Sequence, residues 1–287
     1  MPFHRLILGY CNTVQDVFLA IPLVNEISLL TYLQLTVQFL LVVWSYSALG
    51  ITLAHLIFLP DILLGSEMLP YLILASISLL SAVEGYGIRL ATSQCILILV
   101  LTWFFESLSI HTSFPFGCYV YSDQLGPSLT GVPLLIPIAW FMMAYPSYIN
   151  GILILTRWPW IPLSAPYVGA LFLTAWALPM DPYMSQQGFW VWLDEGLWFG
   201  TPVINYLGWL LVSFLIMLSF HFSAPCNNLD YTKRLCSLSY VAMMMTFIPI
   251  YRSTHLLLSV ISFLITILTL YCASQRLPST FQREKID

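Results

Sequence analysis

An all-α, polytopic transmembrane helical bundle of about eight spans, with seven as the alternative count, is the fold class this sequence predicts. Three observations predict it. The 287-residue chain is 59% hydrophobic and only 8% charged, against roughly 25% charged residues in an ordinary soluble domain, and its mean hydropathy is +0.86. Apolar runs near the length of about 20 residues that a bilayer requires recur along the chain, bounded by charge, Pro or Gly. The cations between those runs fall almost entirely on one side.

Taken in order, the expected spans lie at 30–57, 69–83, 90–110, 131–156, 160–180, 203–222, 235–250 and 254–273. Asp16 and Glu26 in the opening residues, followed by an apolar run too long for a signal peptide, argue against a cleaved leader. Residues 14–28 suit an interfacial helix instead. With the N-terminus cytoplasmic, Arg5, Arg89, Arg157, Lys233, Arg234, Arg276, Arg283 and Lys285 share the cytoplasmic side, and of the nine Lys and Arg only Arg252 faces the other. Both termini are therefore expected in the cytoplasm. The long loops at 111–130 and 181–202 then sit together on the opposite face. One integral membrane domain covers 1–287, made of an interfacial N-terminal segment at 1–27, a bundle at 28–275 and a polar cytoplasmic tail at 276–287. Prolines at 133, 137 and 146, and at 162, 166 and 179, predict bends in the fourth and fifth spans beside a pocket.

Composition also excludes. A net charge of -4 without a basic stripe leaves no footprint for nucleic acid. Six cysteines without a C-x-x-C pair and five scattered histidines signal neither zinc nor a di-iron centre. No acidic cluster for a magnesium diphosphate, no nucleotide-binding glycine loop and no Walker loop is present. The expected chemistry is acid-base work without cofactor or metal.

An ionisable residue inside a span is a functional-site hypothesis by default. Glu106 follows Ile-Leu-Ile-Leu-Val-Leu-Thr-Trp-Phe-Phe with no cation within a turn. Its apolar neighbours disfavour a charge, which makes it a candidate proton donor; an interfacial, hydrated carboxyl is the blander alternative. Asp181 precedes Pro182 and is expected to stop the fifth span. It shares the non-cytoplasmic face with Glu106, so the two carboxyls can divide the work of acid and base. Asn205, opening the sixth span, needs partners for its amide and could hold a water or a carboxyl, or serve as helix-helix glue. Glu84 reads as an ordinary helix-end residue, and the adjacent Asp194 and Glu195 as solvated charges. The aromatic residues of this face, among them Phe116, Tyr119, Tyr121, Trp190, Trp192 and Trp209, form either an interfacial belt or a wall whose π faces steady a carbocation.

These residues resemble a known family. Glu106, then Thr112-Ser-Phe-Pro-Phe-Gly-Cys-Tyr-Val-Tyr121, Leu125-Gly-Pro127, Gly131-Val-Pro133 and Trp140 look like the carotenoid biosynthesis membrane proteins that include carotenoid 1,2-hydratases. Asp181-Pro182, Trp190, Trp192, Gly196, Phe199-Gly-Thr-Pro202, Asn205 and Gly208-Trp209 continue the likeness, which covers about 80–220. The resemblance implies addition of water to the terminal isopropylidene bond of an acyclic carotenoid, with a hydrophobic isoprenoid as substrate and neither metal nor redox cofactor. It implies Glu106 as acid, Asp181 as acid or base, Asn205 orienting water, and the tyrosines and tryptophans lining the pocket. Where the family commonly reads Glu-x-x-Gly-Thr-x-Thr-Gly, this chain has Ser109, Ile110, His111 and Ser113, replacing two glycines and a threonine. Altered lining beside the acid leaves the cation's fate open. Capture by an internal double bond would make a terpene cyclase, and a transporter or lipid-binding protein is the reading from another class.

Overall fold

The computed structural model describes residue 36 and residues 69–155, 163–223, 229–251 and 255–274. The expected interfacial segment and polar tail, and all of the first span but residue 36, lie outside them. The described residues form seven helices: α1 (Leu69–Tyr86), α2 (Ile88–Thr112), α3 (Leu135–Leu155), α4 (Ser164–Gln186), α5 (Val203–His221), α6 (Leu229–Tyr251) and α7 (Leu256–Ser274). Each overlays one of the expected spans. By length and composition α2, α3 and α5 can each cross a membrane, while α1, α6 and α7 contain shorter apolar stretches at 71–86, 237–248 and 256–271. This is a membrane protein built as a helical bundle.

Side-chain contacts show that the helices run alternately up and down. At one end Asn205, in the first turn of α5, meets Asp181 near the end of α4. Gln186 at the end of α4 meets His255 just before α7, at 3.3 Å. At the other end Gln94 of α2 exchanges hydrogen bonds with Ser219 Oγ (2.9 Å) and Ser223 Oγ (2.5 Å) at the end of α5. There too Ser237 Oγ of α6 donates to Asn150 Oδ1 of α3 at 2.6 Å. Such interhelical hydrogen bonds join spans where lipid supplies no hydrophobic drive. Gly151 of α3 lies so close to Gly169 of α4 that a Cβ would stand 2.7 Å from the Gly169 nitrogen, the close backbone approach that small residues permit. Gly87, at φ +80, is the single residue turning α1 into α2.

The two long loops are more ordered than expected. Strands β1 (Tyr119–Tyr121) and β4 (Trp190–Trp192) pair antiparallel, Tyr119 opposite Trp192 and Tyr121 opposite Trp190. A second two-residue pair joins β2 (Ser128–Leu129) to β3 (Val132–Pro133), so Pro133 belongs to a strand and not to the fourth span. The first pair ties the loop after α2 to the loop after α4 and closes one end of the bundle.

Asp181 does not stop its helix: α4 continues through Pro182 to Gln186. A proline removes the N–H that would bond the carbonyl four residues back, which for Pro182 is Leu178. The indole of Trp198 donates to that carbonyl instead, at 3.0 Å. Pro146 within α3 frees the Met142 carbonyl in the same way, and Ser78 Oγ of α1 donates to it at 2.6 Å. At Pro182 and Pro146, donors from neighbouring segments thus replace the missing bonds as the helices pass.

Candidate active site

Glu106 sits in the last turns of α2, 5% exposed. Three donors converge on its carboxyl. Trp140 Nε1, from the second turn of α3, reaches Oε1 at 2.8 Å, and the hydroxyls of Tyr119 and Tyr121 both donate to Oε2, Tyr121 at 2.8 Å. The Tyr-Val-Tyr alternation of β1 explains the paired phenols, because residues i and i+2 of a strand share a face. Val120 is exposed on the other face.

The turn from α2 into β1 is held by Ser109. Its Oγ accepts from the Phe116 N–H at 3.1 Å and donates to the Gly117 carbonyl at 3.2 Å. Ser113 caps α2 in the left-handed region, φ 63, where glycine is the usual occupant. Two serines standing where the resembling family has glycine therefore shape the segment between the carboxyl and its phenols. Behind it, Gly208 of α5 admits the Pro115 carbonyl so closely that a Cβ would lie 2.5 Å from that oxygen.

The second carboxyl, Asp181, is 2% exposed, and Asn205, equally buried, donates to its Oδ2 through the amide Nδ2. Four residues on along α5, Trp209 stacks on Trp140. Phe116 packs against both indoles, with ring centroids 5.8 Å from Trp140 and 6.5 Å from Trp209. The two carboxyl clusters thereby share one aromatic wall.

Glu106, Asp181 and Asn205 face one recess. Phe116, Tyr119, Tyr121, Trp140, Trp190, Trp192 and Trp209 line it as well, so all ten residues singled out in the sequence meet in one place. Burial, followed by the neighbouring Glu106 carboxyl, pushes the phenols of Tyr119 and Tyr121 well above their ordinary value, so both remain hydrogen-bond donors at neutral pH. Among the described residues no cluster of His, Cys, Asp and Glu is arranged to hold a metal.

A profile of carotenoid biosynthesis proteins matches residues 66–273. The chain belongs to that family. The match takes in all seven described helices apart from the last residue of α7, and both strand pairs. Among curated proteins, the bisanhydrobacterioruberin hydratase of Haloarcula japonica is 29% identical over 136 residues, 46% of this chain and 45% of the relative. The chain thus spans about half the length of the curated relative it matches. No solved structure matches.

Family membership does not by itself reveal the rest of the lining. Trp176, Met180 and Met184 of α4 border the recess, with Trp176 edge-on to Trp209 at 5.8 Å. Met184, three residues after Asp181, would have been placed on its face only on a helix that continues past Pro182. Asp194 and Glu195 are exposed, as expected, although Asp194 Oδ2 accepts from the Cys118 N–H at 3.3 Å and so fastens the strand pair. Glu84, read as a helix-end residue, is buried.

Proposed function

We propose that this protein is a membrane enzyme that hydrates the terminal alkene of an acyclic isoprenoid, a carotenoid above all, and that it does so without a cofactor. The observation that supports this most is the pair of buried carboxyls on one aromatic recess, in a chain of the carotenoid biosynthesis family. In the proposed step Glu106 delivers a proton from Oε1 to the less substituted alkene carbon. The π electrons form the new C–H bond and leave a tertiary cation. Phenols and indole then hold the charge left on Glu106, since hydrogen bonds to a carboxyl favour its ionised form.

Water held beside Asp181 and Asn205 adds its oxygen to the cation and passes its proton to the Asp181 carboxylate. The net change to the substrate is one water added, and the proton taken by Asp181 is given up to solvent while Glu106 takes one back before the next turnover. Trp140, Trp209, Trp190 and Trp192 offer π faces to the transient cation, which is why an aromatic wall suits this chemistry better than an aliphatic one.

Expression in cells that accumulate an acyclic carotenoid tests the reading, with the extracted pigments weighed. A product heavier by one water is expected. An isomer of unchanged mass would replace hydration by ring closure, and an untouched pigment pool would remove the enzymatic reading.

A further inference from the structure

We infer that the recess is entered sideways, from the hydrocarbon phase, through the crevice between α1 and α3. Tyr71 and Leu72 of α1 with Leu135, Ile138 and Ala139 of α3 then form a subsite for the chain of an acyclic isoprenoid behind its reacting end. The inference rests on the proposed reaction only for which end group sits at the carboxyls.

Exposure grades along the recess. The polar groups are at its blind end, where Glu106 is 5% exposed and Asp181 and Asn205 are each 2% exposed. Ile136 and Trp140 beside them are buried, Leu135, Ile138 and Ala139 are half-buried, and Leu72 is 42% exposed. Leu135, Ile138 and Ala139 are spaced i, i+3 and i+4, one stripe of a helix. The stripe forms a half-buried edge of the recess along α3.

Among the described residues the other sides of the recess are lined by strands and helices. On the loop side the β1–β4 pair turns Tyr119, Tyr121, Trp190 and Trp192 into the recess and Val120 and Val191 outward, while buried Leu125 backs it. Helices α2, α4 and α5 supply the walls that carry the carboxyls and the amide. Among the described residues there remains a crevice between two apolar helices whose lining carries no charge. A hydrated or ionic ligand gains nothing there, whereas a long hydrocarbon loses no solvation on sliding in from lipid.

The test uses the full-length protein in lipid nanodiscs, a long acyclic carotenoid, and a short acyclic monoterpene with the same isopropylidene end. Binding is read by quenching of the intrinsic tryptophan fluorescence by the polyene, and turnover by product mass. Ala139→Phe narrows the crevice. It is expected to weaken quenching and turnover of the carotenoid roughly tenfold or more, in line with overpacking costs, and to leave the short substrate within about twofold. Ala139→Leu should give a smaller loss of the same kind, which guards against a misfolded Phe variant.

Equal losses for both substrates, or none for either, would overturn the lateral entry, as would a wild-type protein whose fluorescence the carotenoid does not quench. Quenching that Ala139→Phe relieves, without any product from either substrate, would support the chain subsite and instead overturn the proposed hydration.

Discussion

Trp140 and Trp209 stack with ring centroids 3.8 Å apart and planes inclined by 18°. One indole donates to Glu106, and the other stands one helical turn beyond Asn205, the partner of Asp181. The stack therefore joins two carboxyl clusters that reach the recess from four different helices. Trp140→Phe keeps a ring in the stack and deletes only the donor. Loss of a hydrogen bond to an ionised group costs about 1.5–3 kcal/mol, so turnover should fall roughly 10- to 100-fold while the protein still folds. Trp209→Phe deletes no donor to Glu106 but removes the indole N–H that bonds the Asp181 carboxyl, so its loss of turnover reports on the second carboxyl. A larger effect of Trp209→Phe than of Trp140→Phe would show that turnover depends more on the donor at Asp181 than on the one at Glu106.

Glu106→Gln removes the transferable proton with little change of shape. The amide can point its carbonyl at Trp140 Nε1 and its NH2 at the two phenol oxygens, which can accept as well as donate. All three neighbours therefore keep a partner, and the change in stability should stay within about 1–2 kcal/mol. Pigment hydration should vanish while the yield of folded protein in membranes, followed by size-exclusion chromatography in detergent, is unchanged. Retained activity would take the acid role from Glu106.

Alkaline pH offers a test that needs no substrate. Tyr119 and Tyr121 have their folded values raised well above the ordinary 10.0, first by burial and then by the Glu106 carboxyl. Above pH 10 the unfolded chain gives up these protons while the native protein keeps them, so stability falls as pH rises. It is intact below that point. Thermal unfolding followed between about pH 9 and pH 11 should show a loss of stability that is shallower in the Tyr119→Phe, Tyr121→Phe double variant. Parallel curves would mean that these phenols are not shielded in the folded state.

Much of this architecture can be read from one-dimensional features. The helices from α1 to α7 follow apolar runs whose ends are marked by Gly87, the Pro-Phe-Gly segment at 115–117 and the polar residues after Asp181. Glu106 stands out because a carboxyl amid Leu, Trp and Phe is costly inside a span, and its burial argues against the hydrated, interfacial alternative. The β1–β4 pair was harder to see. Tyr-Val-Tyr and Trp-Val-Trp alternate with period two, but each stretch is three residues long and its partner lies about 70 residues away. Nothing local fixes that pairing. The end of α4 was misread for a related reason, because the rule that proline discourages helix in the preceding residue is local and the donor that overrides it, Trp198, comes from a loop 20 residues downstream.

That override can be measured with a double-mutant cycle. Trp198→Phe keeps most of the ring but leaves the Leu178 carbonyl without its donor, which should cost about 1–3 kcal/mol. Pro182→Ala restores a backbone N–H four residues after Leu178, so the helix itself can satisfy that carbonyl. In the Pro182→Ala background Trp198→Phe should therefore cost clearly less, giving a coupling of about 0.5–3 kcal/mol between two residues whose side chains need not touch. Because Asp181 precedes Pro182, the same cycle read in turnover reports whether the Asp181 carboxyl depends on this repaired stretch of helix. Additive effects on both stability and turnover would mean that α4 passes Pro182 without help from Trp198.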